Sequence, residues 1–73
     1  MPIYLSDIKK PGSFKIKKLN GTDATRLMEM GVLPGLPLDV IRRAPLGFPI
    51  EIKVRGMLLT LREVEAKCIE LED

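Results

Sequence analysis

Residues 50–61 read Ile-Glu-Ile-Lys-Val-Arg-Gly-Met-Leu-Leu-Thr-Leu, and this stretch decides the fold. Its two isoleucines and its valine alternate with charged residues, which is the period of a strand that buries one face. Arg55-Gly56 then predicts a tight turn, because glycine adopts turn conformations without steric cost. Residues 57–61 return as a second strand. The stretch is therefore predicted to be a β-hairpin in an antiparallel sheet.

Other segments with strand character lie on both sides of this hairpin. They are a brief edge strand near residues 4–8 and further strands at residues 13–19, 36–43 and 68–71. In the strand at residues 13–19, Phe14 and Ile16 alternate with lysines and are predicted to lie on the buried face. Pro11-Gly12 and Pro34-Gly35 mark turns between them, because proline and glycine both favour turn geometry. About five short strands in one small unit favour an all-β barrel over a sandwich or a helical bundle.

One short helix is predicted between the strands. Thr22 stands where a helix N-cap is expected. The helix is predicted over residues 24–30, with Leu27 and Met30 on one face. Gly31 ends it, since glycine accepts the left-handed conformation that closes a helix.

The segment before the last strand is predicted to form a single helical or 3₁₀ turn. It spans residues 61–67, with Leu61, Val64 and Ala66 near one side. Cys68 follows among apolar residues and is predicted to be a small core residue. The carboxylates of this region are expected to be solvated; they are Glu63, Glu65, Glu70, Glu72 and Asp73.

Length and composition restrict the class of protein. The chain has 73 residues, a net charge of +2 and one cysteine. Residues 1–73 are predicted to form a single domain, and one cysteine allows no internal disulfide. No segment resembles a signal peptide or reaches the roughly 20 apolar residues that span a bilayer. We expect a soluble, cytoplasmic protein that gains stability from a partner or from self-association as a homo-oligomer.

The residues that usually carry catalysis or bind metal are scarce. The chain has no histidine, so the commonest general base and the commonest transition-metal ligand are missing. A lone Cys68 supplies neither a Cys-His nucleophile nor the four ligands of a structural zinc site. The six glycines are scattered and form no phosphate-binding loop. The sequence therefore predicts no enzymatic activity, no cofactor and no metal site.

Two apolar groups have no obvious place in a barrel core, namely the methionines of the helix and the apolar residues of the loop at residues 44–49. Such surplus apolar side chains are typical of protein interfaces. We expect the helix and the loop to form one docking patch rimmed by arginines. The predicted partner-binding residues are Met28, Met30, Leu46, Phe48, Arg42 and Arg43.

Basic residues leave a nucleic-acid interface as an alternative. The residues concerned are Lys15, Lys17, Lys18, Arg42 and Arg43. A stripe of cations on one barrel face would bind phosphates, and salt-dependent binding to DNA or RNA would identify it.

Two motifs of this sequence resemble those of a known family. Residues 26–35, Arg-Leu-Met-Glu-Met-Gly-Val-Leu-Pro-Gly, resemble the central motif of the FeoA family, ferrous iron transport protein A. Residues 44–56, Ala-Pro-Leu-Gly-Phe-Pro-Ile-Glu-Ile-Lys-Val-Arg-Gly, look like that family's Ala-Pro loop and hairpin. Leu61-Arg62, followed by Ala66 and Ile69, is similar to its closing strand.

The resemblance implies an SH3-like barrel of about five strands with one short inserted helix. It also implies a cytosolic adaptor of bacterial ferrous iron uptake that docks on FeoB, the membrane ferrous iron transporter, and on its GTP-binding domain. The family is not known to be catalytic. The alternative is a free-standing regulatory module similar to the C-terminal SH3-like domain of metal-dependent repressors, which follows a helix-turn-helix portion that this sequence lacks.

Overall fold

The computed structural model describes residues 1–72, which form one antiparallel sheet of six short strands. The strands are β1 (Ile3–Tyr4), β2 (Gly12–Leu19), β3 (Pro37–Arg43), β4 (Ile50–Val54), β5 (Met57–Leu61) and β6 (Ile69–Leu71). The helical elements are α1 (Ala24–Glu29), α2 (Glu63–Ala66) and a 3₁₀ turn at Leu5–Asp7. The order of strands in the sheet is β1-β6-β2-β3-β4-β5. The all-β prediction is confirmed. The predicted edge strand is β1, which begins at Ile3, before residue 4, and brings the number of strands to six.

β4 and β5 form the predicted hairpin. Val54 pairs with Met57, so the turn consists of Arg55 and Gly56 alone. Both turn residues have positive φ angles, 54° and 80°. This conformation matches the right-handed twist of the flanking strands. All three apolar side chains of β4 are buried, as their alternation predicts.

The hydrophobic core joins one face of the sheet to side chains from the helical segments. Its aliphatic members are Leu5, Ile16, Leu27, Val32, Leu38, Val40, Ile50, Ile52, Val54, Leu61, Ala66, Ile69 and Leu71. Burying one leucine or isoleucine side chain contributes about 1.5–3 kcal/mol. Every strand from β2 to β6 supplies at least one of these residues, so the core is continuous across the sheet.

α1 forms where the sequence predicts it, with a different cap. Asp23 rather than Thr22 occupies the N-cap position, and its side chain makes no capping hydrogen bond. The Thr22 prediction was wrong because the first helical residue is Ala24, directly after Asp23. Gly31 has a φ of 97°, and its N–H donates to the carbonyl of Met28 at 3.0 Å. The predicted glycine stop is confirmed.

β2 buries less of its predicted apolar face than alternation suggests. Ile16 is fully buried, whereas Phe14 is half-buried. An open groove bordered by Ile3 and Ile8 leaves one side of the Phe14 ring uncovered. A register shift against β6 between Ile16 and Lys18 also interrupts the regular alternation.

The segment after β5 forms the predicted helical turn, α2. Val64, expected beside Leu61 and Ala66, is instead 53% exposed, because it faces away from the core at this point of the helix. Cys68 is buried, and its thiol donates to the carbonyl oxygen of Val64 at 3.3 Å. It is therefore a small core residue as predicted, although it precedes β6 rather than lying within it.

Two carboxylates predicted to be solvated are buried. Glu65 and Glu70 are each only 5% exposed. β6 lies between β1 and β2, so Glu70 is covered by neighbouring strands, and its carboxylate lies 3.5 Å from the amine of Lys17 and 3.9 Å from that of Lys18. Ion pairing makes this burial tolerable. The other carboxylates of the region, Glu63 and Glu72, are exposed, and Asp73 lies outside the described residues.

Candidate functional site

The loop at residues 44–49, between β3 and β4, carries the most exposed apolar side chain after that of Met1. Leu46 at its tip is 98% exposed. Beneath the tip, the N–H of Gly47 donates to the carbonyl of Ala44 at 2.8 Å, and the N–H of Ala44 donates to the carbonyl of Pro49 at 3.0 Å. The loop is therefore closed by its own backbone, and Leu46 projects from a defined base.

Arg43, the last residue of β3, holds this loop against the body of the protein. Its Nε donates to the carbonyl of Gly47 at 2.8 Å, and its Nη1 donates to the carbonyl of Ile8. The guanidinium lies over the ring of Phe48, 4.6 Å from the centroid. A cation stacked on an aromatic face adds attraction to the hydrogen bonds. Arg43 is thus a support for the loop and not a free rim charge.

Phe48 is a second support beneath the Leu46 tip. Its side chain is half-buried and packs against the hydrophobic core. The ring also carries the Arg43 guanidinium on one face. Little of Phe48 is therefore left for an anchor role, and Leu46 is the loop residue that a partner would meet first.

The two predicted docking elements differ in how their apolar residues are exposed. α1 precedes β3 in the chain and the loop at residues 44–49 follows it. Met28 is 42% exposed on α1, while Met30 is half-buried and packs against the core. Each element therefore exposes one of its predicted apolar residues, and the single docking patch stays a prediction.

α1 is attached to α2 through a buried carboxylate. The guanidinium of Arg26 forms an ion pair with Glu65. The same carboxylate accepts the backbone N–H of Arg62 at 2.8 Å and lies 3.7 Å from the Arg62 guanidinium. Sequence reasoning missed this role of Glu65, and its spacing of three residues after the cap position of α2 was the available signal.

An open groove runs beside the Leu46 loop. It is lined by Lys9, Pro11, Arg42 and residues 43–47. Arg42 is largely exposed and pairs with Glu51 on β4 at 3.3 Å. Lys9 is exposed on the opposite side of the groove. The tip of the loop is thus apolar, and the groove beside it is basic.

The predicted basic stripe is divided by local partners. Lys17 and Lys18 both face Glu70, and Arg42 faces Glu51. Arg43 lies under the loop, and Lys15 has no carboxylate within ion-pair distance among residues 1–72. Carboxylates therefore pair with three of the five predicted cations, and the nucleic-acid interface stays an alternative prediction.

A third exposed apolar surface lies on β5, where the sequence analysis made no functional prediction. Leu58 is 67% exposed and Met57 is 52% exposed. The signal was available in the sequence, because Leu58 stands at a position that alternation turns away from the core.

Residues 1–72 have few other features that indicate a site. These residues contain no group of three or more His, Cys, Asp or Glu side chains placed to hold a metal ion. None of their helices is long and apolar enough to cross a membrane. Their buried side-chain nitrogen and oxygen atoms all have hydrogen-bond partners. Exposed apolar surfaces are therefore the features of this part of the chain that call for a functional explanation.

The family model for the FeoA domain matches residues 3–73 of the chain. The chain belongs to the FeoA family. A solved structure similar to this FeoA-family chain is the FeoA-like protein from Clostridium acetobutylicum, which is 30% identical with a TM-score of 0.89, covering 97% of this chain and 85% of that one. The resemblance given by the two sequence motifs is confirmed.

FeoA from Stenotrophomonas maltophilia, solved in complex with zinc, is 25% identical with a TM-score of 0.82, over 96% of this chain and 89% of that chain. It is described as a procaryotic SH3 domain protein and suggested as a bacterial ferrous iron transport activating factor. The predicted SH3-like fold is confirmed by this similarity.

A more distant similarity is to the manganese-activated repressor ScaR. It is 18% identical with a TM-score of 0.85, and the match covers 97% of this chain and 35% of the repressor. Identity this low shows a shared fold and carries no function. The alternative of a regulatory module gains support for its fold alone.

Proposed function

We propose that this chain is a cytoplasmic, non-enzymatic accessory protein of ferrous iron uptake that docks on the membrane transporter FeoB and on its GTP-binding domain. Membership of the FeoA family supports the connection with ferrous iron transport. The suggested role of the Stenotrophomonas maltophilia relative as an activating factor supports action on a transporter. The SH3-like fold by itself fits many functions, so the proposal depends on a particular surface.

The exposure of Leu46 is the observation that carries the proposal. The side chain of Leu46 is 98% exposed, so its burial contributes nothing to the stability of its own chain. Because Arg43 and the loop backbone fix the base of the loop, little conformational entropy is lost when the tip enters a pocket. Interface energy is usually concentrated in a few anchor residues, and Leu46 is the loop residue placed to be one.

The charges around the loop indicate the chemistry of the partner surface. Arg42 and Lys9 line the groove beside Leu46, and both are exposed. We therefore expect the partner to offer an apolar pocket with acidic residues next to it, since complementary charges speed and orient association. Met28 on α1 is a candidate for a further contact.

The test is a pull-down of detergent-solubilised FeoB and of its isolated GTP-binding domain on immobilised chain. Leu46→Ser should reduce the bound fraction, corresponding to an affinity loss of about tenfold or more. Val64→Ser is the matched control, because Val64 is 53% exposed on α2, outside the loop. Met28→Ser, tested separately, shows whether α1 contributes.

Three outcomes are informative. Loss of binding with Leu46→Ser but not with Val64→Ser supports docking through the loop. Equal binding by Leu46→Ser and the unaltered chain removes the loop from the proposal. No binding of either transporter form by the folded, unaltered chain contradicts the proposed function itself.

A further inference from the structure

β5 is the outer strand of the sheet, and one row of its backbone groups has no partner strand. Within residues 1–72 it pairs with β4 alone. In a hairpin with a two-residue turn, the residues next to the turn exchange hydrogen bonds, and every second pair along the ladder does the same. Met57, Leu59 and Leu61 therefore bond inward to β4. Leu58 and Thr60 direct their N–H and C=O groups to the open edge.

The opposite edge of the sheet is closed. β1 has two residues, and the proline at position 2 directly precedes it. The N–H of Tyr4 is occupied by the carboxylate of Asp7 at 3.0 Å. Short edge strands, proline and local side-chain hydrogen bonds all prevent pairing with another chain. β5 has none of these protections along its five residues.

The side chains at the open edge also suit an added strand. Leu58 is 67% exposed and Thr60 is exposed, both on the outer face of the hairpin. Neither side chain is charged, so the apolar surface of Leu58 and the backbone groups of the edge both remain accessible to an added strand. Natural edges usually carry a charge at such positions. Residues 58–60 therefore form an edge that can pair with an added strand.

Positive charges predominate around this edge, because its one cross-strand carboxylate, Glu51 opposite Thr60, is paired with Arg42 at 3.3 Å. Lys53 is the cross-strand neighbour of Leu58, and Arg55 forms the turn at one end of β5. Among residues 1–72, neither has a carboxylate within ion-pair distance. Arg62 lies just beyond the other end, where it is 67% exposed and shares Glu65 with Arg26. A complementary strand would therefore carry acidic residues on both sides of an apolar centre.

A second copy of this chain is a poorer occupant of the same edge. Antiparallel pairing of two β5 strands that sets Leu58 opposite Thr60 also sets Arg62 of one copy opposite Gly56 of the other. That arrangement brings Arg62 next to Arg55 of the other copy at each end of the new ladder. Like charges in this position oppose pairing.

We propose that the β5 edge binds an extended segment of a partner protein by strand addition, and that this segment has an apolar β-branched centre flanked by acidic residues. The backbone of the segment bonds to Leu58 and Thr60, its apolar centre covers Leu58, and its acidic ends face Arg55 and Arg62. This surface is distinct from the Leu46 loop. It goes beyond the proposed docking on FeoB, and its test does not involve the transporter.

The experiment uses the full chain and a labelled peptide, Glu-Asp-Val-Thr-Val-Asp-Glu, as the segment. Backbone amide exchange followed by NMR gives a residue-specific readout. Leu58 and Thr60 amides should exchange freely without the peptide and be protected at saturating peptide, since only strand addition gives them acceptors. The amides of Leu59 and Leu61 should be protected in both states. A peptide with Lys in place of every Asp and Glu should not bind.

Two variants keep the test independent of folding. Leu58→Ser removes the apolar contact at the open edge without changing the charge and should weaken peptide binding about tenfold. Val64→Ser makes the same kind of change at an exposed apolar position of α2 and should leave peptide binding unchanged. Both substitutions are at exposed positions, so both variants should retain the amide protection of β4.

Several results would overturn the proposal. They are an absence of binding at millimolar peptide, binding without protection of Leu58 and Thr60, and equal weakening by Leu58→Ser and Val64→Ser. Protection of the same two amides without peptide, together with a dimer in sedimentation, would assign the edge to a second copy instead.

Discussion

The loop at residues 44–49 and helix α1 each expose one apolar side chain, Leu46 and Met28, but different forces hold them in place. The loop is held by Arg43, which donates to two backbone carbonyls and covers Phe48. α1 is held by the full burial of Leu27 in the core. The attachment through Arg43 is polar and joins a few groups, whereas the attachment through Leu27 is apolar and shared with the whole sheet.

This difference indicates which surface can be altered by substitution without affecting the rest of the protein. The loss of hydrogen bonds from one arginine affects only the few groups that the bonds join, whereas a core side chain contacts residues from several strands. Changes in the loop should therefore remain local. Changes that loosen α1 should reach the sheet, because Leu27 belongs to its core.

The largest effect is expected at Leu27. Leu27→Ala removes a fully buried side chain and leaves a cavity, so the free energy of unfolding should fall by about 3 kcal/mol. Urea unfolding followed by circular dichroism measures the loss. The neighbouring Met28→Ala is the control and should change stability by less than about 0.5 kcal/mol. A loss below about 1 kcal/mol for Leu27→Ala would show that α1 is not attached through the core.

A smaller and more local effect is expected at Arg43. Arg43→Ala removes both hydrogen bonds and the stacking on Phe48, and stability should fall by about 2 kcal/mol. Amide exchange of Gly47 should accelerate far more than exchange in β4. Arg43→Lys keeps the charge without the planar fork, so it should give an intermediate loss. Equal acceleration throughout the sheet would contradict a local role.

Glu65 tests the second attachment of α1. Glu65→Gln retains an acceptor for the N–H of Arg62 but loses the ion pair with Arg26, and stability should fall by about 1 kcal/mol. Glu63→Gln is the matched control. Its carboxylate is exposed and pairs with Lys67 at 3.7 Å, so that change should be close to neutral, within about 0.5 kcal/mol. Equal losses in the two thermal unfolding curves would rule out the bridge between α1 and α2.

The smallest effect on stability is expected at Leu46. Leu46→Ser should alter the free energy of unfolding by less than about 0.5 kcal/mol, because the side chain is almost fully exposed. Phe48→Ser, two residues away, should destabilise by more than about 1 kcal/mol, since its ring packs on the core. Thermal unfolding of the two variants distinguishes the exposed tip of the loop, Leu46, from its support, Phe48. Similar losses for both would mean that Leu46 also contributes to the fold.

The sequence predicted most of the backbone architecture. Turn residues and alternation depend on local stereochemistry, which explains why the hairpin at Arg55-Gly56 and the helix stop at Gly31 were found. Alternation also placed Ile16 and the apolar residues of β4 correctly. Phe14 was predicted to be more buried than it is, because the groove beside Ile3 and Ile8 is a product of tertiary packing.

The candidate site was less accessible to sequence reasoning. Arg43 and Phe48 were predicted as contact residues, yet each supports the loop through neighbours that no local pattern shows. Glu65 was predicted to be solvated because charged residues usually are, and its burial depends on Arg26 from another helix. The open edge at β5 required the order of strands, which the sequence does not state. Leu46 and Met28 were selected from the sequence as apolar docking residues, and both are exposed.

Ferrous iron uptake by cells that retain the transporter but lack this chain tests the central claim most directly. The unaltered chain, Leu46→Ser and Val64→Ser would be supplied at equal levels and uptake of radioactive ferrous iron measured. We predict that the unaltered chain and Val64→Ser restore uptake, and that Leu46→Ser does not although it is folded. Full restoration by Leu46→Ser would contradict docking through the loop as the basis of the function.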